Sequence, residues 1–449
     1  MKKIFSVLVL ALAAMFLIVA CGNGDSAPAT TPAADPPAAD TPATPPAADA
    51  PADDSQAEQP TSDVSLRFAM WDEVQATVYR DILDLFTAQT GIEVEIELTP
   101  WAQYWTRLDA AAGADDLPDV FWMNTFMPRY AEAGVLRPLT DLIARDGVDM
   151  SQWTQGVVEL YTRNGEIWGL PVGHDVVNVY YNRAIFEAYG VDTPQPGWTW
   201  TDMVAIGEEL RDAIAAAGGP EYALVMELDP QPSHFNFIVQ NGGYILHPET
   251  FRPGFDLPET IRAYQNVLDL MASGVMPSHA ILTDTIGIDI FSAQQAAMIY
   301  AGSWRASVID GLSFASDIGI ITQPSQAANN HSVLGGMAFT MNATTDHVDE
   351  AWQLIQFLAG YDANRIRAET GISMPAFLAA YPHYVFNNID SSVILEALPT
   401  AFPFPTHERL TDVMGIINDV VPQIFAGMVT PEDGAAQIQE RLLEALGMN

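Results

Sequence analysis

"SLRFAMWDEVQATVYRDILDLFTAQTGIEVEIELTPWAQYWTRLDAAAGADDLPDVFWM" (residues 65–123) decides the fold class. Leu66, Phe68 and Met70 alternate as in a strand. Val74, Val78, Ile82 and Leu85 then recur at helical spacing, and Gly91 marks the stop. Ile92, Val94, Ile96 and Leu98 alternate strictly and predict a second strand. A helix follows over about 102–112, ending at Gly113, and "PDVFWM" (118–123) reads as a third strand. Strand, helix, strand, helix, strand implies parallel pairing with crossovers, hence an α/β domain. Ligands of such sheets gather outside the carboxyl ends of the strands. The residues there are Trp71 and Asp72 after the first strand, Trp101 after the second, and Trp122 to Thr125, including Asn124, after the third.

Upstream, Lys2 and Lys3 precede an apolar run from Ile4 to Ala20, the pattern of a secretory leader, 1–20. The run ends in Ile18-Val19-Ala20-Cys21, which resembles the bacterial lipobox. In that motif the cysteine becomes the lipid-modified first residue of the mature chain. Cys21 is the only cysteine, so no internal disulfide can form. Residues 22–63 are mainly Ala, Pro, Asp and Thr, with no aromatic or basic residue. They cannot bury enough apolar surface to offset ordering, so 21–64 is read as a lipidated cysteine plus extended spacer.

From about residue 65 some 385 residues remain, enough for two domains. The formal charge is -39, and loss of the leader removes two lysines and no acid, leaving -41. All 16 remaining basic residues are arginine. So acidic a body argues against nucleic acid as a partner and against adhesion to anionic lipid. No second apolar stretch reaches membrane-spanning length.

Downstream, "GLPVGHDVVNVYYNR" (169–183) reads as a Gly/Pro turn and an apolar strand. "PGWTWTDMVAIGEELRDAIAAAGG" (196–219) is a helix capped by Thr199 with Asp202 three residues on. "FSAQQAAMIYAGSW" (291–304) is a short helix feeding a strand and a Gly-Ser turn, and "GGMAFTMNATTDHVDEAWQLIQFLAG" (335–360) is a strand followed by a helix. No phosphate-binding loop, HExxH, GxSxG or GxGxxG is present. The histidines are scattered, and with one cysteine no metal site or cofactor is expected. Among 57 acids, carboxylate pairs at glycosidase spacing arise by chance, so a secreted glycoside hydrolase stays only as an alternative.

The order of these segments, with "LPDVFWMNTFMPRYAEAGVLRPL" (117–139), "IWGLPVGHDVVNVYYNRAIFEAYGV" (167–191) and "ETGISMPAF" (369–377), resembles the extracellular solute-binding proteins of ABC importers. More narrowly, it resembles their family 1, the sugar-binding group that includes maltose-binding protein. The resemblance implies a two-lobed, type II periplasmic-binding-protein-like α/β fold with lobes discontinuous in sequence. It implies crossings near 172–175, 300–302 and 339–343, giving lobe 1 as 65–173 plus 303–340 and lobe 2 as 174–302 plus 341–449. It also implies a monomer, tethered by Cys21 at the extracellular face of the cell membrane, that hands a sugar to permease subunits.

Sugars offer apolar C–H faces and rings of hydroxyls, which suit aromatic rings and carboxylates or amides respectively. The resemblance points to Trp304 as a stacking aromatic, to Trp122 as a second, and to Asp175 as a cleft carboxylate. Beside them stand the strand-end residues Trp71, Asp72, Asn124 and Trp101, with Arg129 weaker. Trp198 and Trp200 are read as structural, and His234 and Phe235 as part of a second-lobe wall. The loop "AFPFPTHERL" (401–410) lacks the tryptophan of maltose binders, and Phe402 or Phe404 is a partial substitute. Strand-end tryptophans also suit a cation, so a polyamine or peptide binder remains the other alternative.

Overall fold

The alternation of Leu66, Phe68 and Met70 becomes strand β1 (Ser65–Met70), with all three side chains fully buried. The computed structural model of the chain describes residues 62–448. The leader 1–20, Cys21 and nearly all of the 21–64 spacer lie outside the described residues. Helix α1 (Glu73–Thr90) follows and ends on Gly91, whose φ of 75° favours glycine. Its buried stripe is Ala76, Tyr79, Ile82, Leu83 and Phe86, whereas Val74 and Leu85 are 59% and 46% exposed. The expected helix is present with its face rotated: Ile82 stays in the stripe, but Ala76, Tyr79, Leu83 and Phe86 replace Val74 and Leu85 in it.

Strand β2 (Glu93–Leu98) pairs parallel with β1 at the sheet edge, which leaves its alternating side chains only half-buried. Helix α2 (Trp101–Ala114) runs past Gly113 and stops at Asp115, which takes the left-handed conformation at φ 54°. Strand β3 (Val120–Met123) then pairs parallel with β1 on its other side. The remaining strands are β4 (Leu136–Arg137), the hairpin β5–β6 (Thr162–Arg163 and Glu166–Ile167), β7 (Leu170–Asp175), β8 (Val177–Asn182), β9 (Tyr222–Met226), β10 (Ala296–Gly302), β11 (Ile318–Thr322), β12 (Val333–Asn342) and β13 (Phe402–Pro403).

The first sheet has the order β13-β12-β3-β1-β2, with β4 and β7 also paired to β12. It is mixed, because β12 runs antiparallel to β3 and β7. The second sheet has the order β11-β8-β10-β9, with β8 antiparallel to both β10 and β11. Val176 alone separates β7 in the first sheet from β8 in the second.

Two parts of the expected division are corrected by strand pairing. Residues 300–302 do not return to lobe 1. They end β10, whose seven residues are all buried between β8 and β9. Strand β11 follows in the same second sheet, so 303–322 stays with lobe 2, and the return lies between Thr322 and Val333. Residues 341–380 likewise do not open lobe 2. The helix Val348–Ala359 buries Trp352, Leu354, Ile355 and Leu358 in the core under β1, and Ala376, Phe377 and Ala380 join the same core. The final stretch, with the helices Leu410–Phe425 and Pro431–Ala445, packs in the second-lobe core.

The crossing strand is held from beneath by Arg367, which is fully buried. It donates to Val172 O at 3.1 Å and to Leu358 O at 2.9 Å, and it lies over the rings of Tyr79 and Phe339. Among the described residues no helix is long and apolar enough to cross a membrane.

Candidate functional site

The carboxyl ends of β1 and β3 and the start of α2 form one wall. Trp71, next after β1, packs edge-on against Trp101 (ring centroids 5.2 Å), Tyr104 (5.1 Å) and Trp122 (4.8 Å). Edge-to-face packing at these distances suits the ring quadrupoles. Trp101, first residue of α2, stands 47% exposed. Asp72 caps α1: its carboxylate accepts from Gln75 N at 2.9 Å and from Gln75 Nε2 at 3.4 Å. Asn124 Oδ1 accepts from Phe126 N at 2.8 Å and so shapes the loop after β3.

Trp122 is a correction to the expected site. It is fully buried and lies in the lobe 1 core against Tyr79 and Trp71. β3 is an interior strand, flanked by β1 and β12, and all four of its residues are buried. Trp122 therefore backs the wall and does not face the cleft. Arg129 also turns away, donating to Asp109 at 2.9 Å.

The opposite wall comes from lobe 2. Gly302 ends β10, and Ser303–Arg305 form one 3-10 turn. A Cβ on Gly302 would collide with the indole of Trp304, so Gly302 makes room for that ring rather than for a ligand. Next to Trp304, Arg305 pairs with Glu227, with Nε at 2.8 Å and Nη2 at 2.6 Å from Oε1. Glu227 is 6% exposed, and with Asp229 it lies in the loop after β9. Burial pushes both carboxyls above their usual range, opposed in each case by Arg305.

The two walls meet at Asp175, the last residue of β7. Its Oδ1 accepts from Ser303 Oγ at 3.3 Å. Ser303 N in turn donates to Val176 O at 2.8 Å, which ties the crossing to the end of β10. Burial pushes the Asp175 carboxyl up to about 6; the Ser303 bond opposes this and the nearby Asp72 adds to it. Gly335 to Met337 of β12 and Ser373 complete the floor.

The cleft between the two walls is about 470 Å³. Trp71, Asp72, Trp101, Asn124, Asp175 and Trp304 all line it, and Trp122 does not. Phe404 also lines it, from the late loop, whereas Phe402 does not. His234 and Phe235 are buried away from the cavity, and burial holds the His234 imidazole down at about 3. Trp198 is structural, donating from Nε1 to Thr322 O at 2.8 Å, and Trp200 packs on Phe237.

Sequence reasoning missed Glu227, Asp229, Arg305, Gln75 and Asn418. Glu227 and Asp229 follow the end of β9 as Trp71 follows β1, but β9 is a continuous apolar run, "YALVM", with no alternation to mark it as a strand. Asn418 lies on the helix Leu410–Phe425, and no local pattern marks it. Flat aromatic faces opposite carboxylates and amides can hold a polar solute that has apolar faces.

Comparison with known proteins agrees with this geometry. The family model described as bacterial extracellular solute-binding protein matches residues 71–365, more than half of the chain. A diacetylchitobiose-binding protein of Streptomyces coelicolor is 26% identical over 387 residues, covering 82% of this chain and 85% of its own. A Listeria monocytogenes ABC substrate-binding protein, solved with cycloalternan, has TM-score 0.77 at 21% identity, over 86% of this chain and all of that one. The GacH receptor of Streptomyces glaucescens, solved unliganded and with acarbose, has TM-score 0.76 at 18% identity, over 85% and 98%. These structures share the two-lobed fold. The family is one of binding proteins rather than enzymes, so the hydrolase alternative falls. The chain belongs to the bacterial extracellular solute-binding protein family.

Proposed function

We propose that the protein is the sugar receptor of an ABC importer, capturing a mono- or oligosaccharide between its lobes and delivering it to the permease. One observation carries this: the indoles of Trp71, Trp101 and Trp304 and the carboxylates of Asp72, Asp175 and Asp229 line a single cavity. Indoles cover the C–H faces of a pyranose, and carboxylates and amides take its hydroxyls. The named sugar ligands of the similar proteins support the same reading. A solute touching both walls favours the closed arrangement by that differential contact alone. The protein acts as a monomer, held through lipidated Cys21 and the 21–64 spacer at the outer face of the cell membrane.

Tryptophan-fluorescence titration against a panel of sugars tests the binding. A saturable change with at least one sugar is the expected result, and a response to peptides alone removes the reading. Cys21→Ala tests the tether: the variant should leave the membrane fraction and keep its solute affinity. Retention after leader cleavage would remove the anchor.

A further inference from the structure

We infer that the solute carries a protonated amine, so that the cleft takes an amino sugar with a free amino group. The inference rests on the sugar reading above and narrows its substrate class. Four carboxylates line the cavity, Asp72, Asp175, Glu227 and Asp229, against one cation, Arg305. No histidine or lysine lines it. Arg305 is committed to Glu227, and the Asp72 carboxylate caps α1. Among the described residues, Asp175 and Asp229 have no ion-pair partner.

A second observation, at an uncharged residue, points the same way. Gln75 lines the cavity and is only 6% exposed, yet its Oε1 accepts no hydrogen bond. Its Nε2 is turned to Asp72 Oδ2, which as a carboxylate can only accept. What Gln75 has left is an unsatisfied acceptor, and a buried acceptor without a donor is costly.

A cavity lined by four carboxylates against one guanidinium selects a ligand that brings positive charge. An ammonium group has three donors and no acceptor, whereas each neutral hydroxyl brings lone pairs of its own. Closure removes water from the half-buried Asp175 and the exposed Asp229, and a neutral sugar has hydroxyl donors alone to answer their charges. A protonated amine cancels one of them and gains from the indole faces as well. A polyamine would meet the carboxylates but leave three flat indole faces without a ring to stack on, so the amine belongs on a sugar.

The test is calorimetry on the full processed chain at neutral pH, using sugars matched except at one group. Glucosamine is compared with glucose, galactosamine with galactose, and the β-1,4 disaccharide of glucosamine with cellobiose. The N-acetylated forms and spermidine complete the set. In at least one pair the amine should bind tenfold or more tighter than both its neutral and its N-acetylated counterpart. Asp229→Asn and Asp175→Asn, each checked for a native melt, should bring that gap below threefold. Neutral sugars binding as tightly as their amines would remove the inference and leave the sugar receptor standing. Spermidine binding with no response to any sugar would remove both. A preference that survives both substitutions, or no amine sugar bound at all, also overturns it.

Discussion

The two walls of the cleft face one cavity but are built by different means. The lobe 1 wall is aromatic, and all of its strand-end residues fall between Trp71 and Phe126. Buried rings support it from behind: Trp122 and Tyr104 pack edge-on against Trp71. Its single carboxylate, Asp72, is occupied by the helix it caps. The lobe 2 wall is charged and gathers Glu227, Asp229, Trp304, Arg305 and Asn418 from distant parts of the chain. The difference teaches a division of labour. Apolar packing fixes a surface cheaply and leaves it chemically plain, whereas a charged surface needs ion pairs to hold it and so carries the discrimination.

The comparison breaks most visibly at Trp122. If lobe 1 depends on buried aromatic packing, Trp122→Ala should cost about 3–5 kcal/mol, the range for deleting a large core ring, measured by denaturant unfolding. A near-native melt would move Trp122 out of the core. On the opposite wall, Arg305→Ala strands the buried Glu227 carboxylate and should cost about 3 kcal/mol. The double variant with Glu227→Gln should recover most of that loss. Burial already raises the Glu227 carboxyl, and Arg305 opposes that rise, so removing Arg305 raises it further. The Arg305→Ala deficit should therefore shrink as pH falls and Glu227 protonates.

Trp304→Ala tests the one aromatic group on the charged wall. Truncation of such an anchor should weaken sugar binding by about 2 kcal/mol, more than tenfold in Kd, with a nearly native melt. Native affinity would take Trp304 out of the site. Smaller effects separate structure from contact at Asp72. Asp72→Ala should cost about 1 kcal/mol of stability through the lost cap, while Asp72→Asn, also a good cap, should cost almost none.

An effect of similar size, but opposite sign, is expected at Asp175. Its carboxyl sits at about 6 in the folded protein, above the 3.8 of an unperturbed one. Such a group favours the fold fully below the lower value, and that support is lost as pH rises through the upper one. The ligand-free protein should thus lose stability between about pH 4 and pH 6 on account of this group. Asp175→Asn should flatten that slope and raise stability at pH 7 by about 1 kcal/mol, partial burial having reduced the full effect. An unchanged slope would assign the pH dependence elsewhere.

Local periodicity was enough to read the strand–helix–strand opening and the aromatic wall at its strand ends. Each of those features is set by spacing within one element: β1 alternates, α1 has a cap and a glycine stop, and the loops after β1 and β3 follow directly. Even there, the tertiary structure reassigned Trp122, because only strand order shows that β3 is interior and has no free face. The lobe boundaries lay beyond local reading for the same reason. Nothing within 300–302 shows that β10 is flanked by β8 and β9, or that the helix Val348–Ala359 returns to the first core. The Glu227–Arg305 pair joins residues 78 positions apart, and Asn418 reaches the cavity from a C-terminal helix. The sequence by itself determined the elements, the acidic character and the aromatic wall, since these depend on neighbours along the chain. Only the tertiary structure decided which charges share the cavity, because pairing and burial depend on neighbours in space.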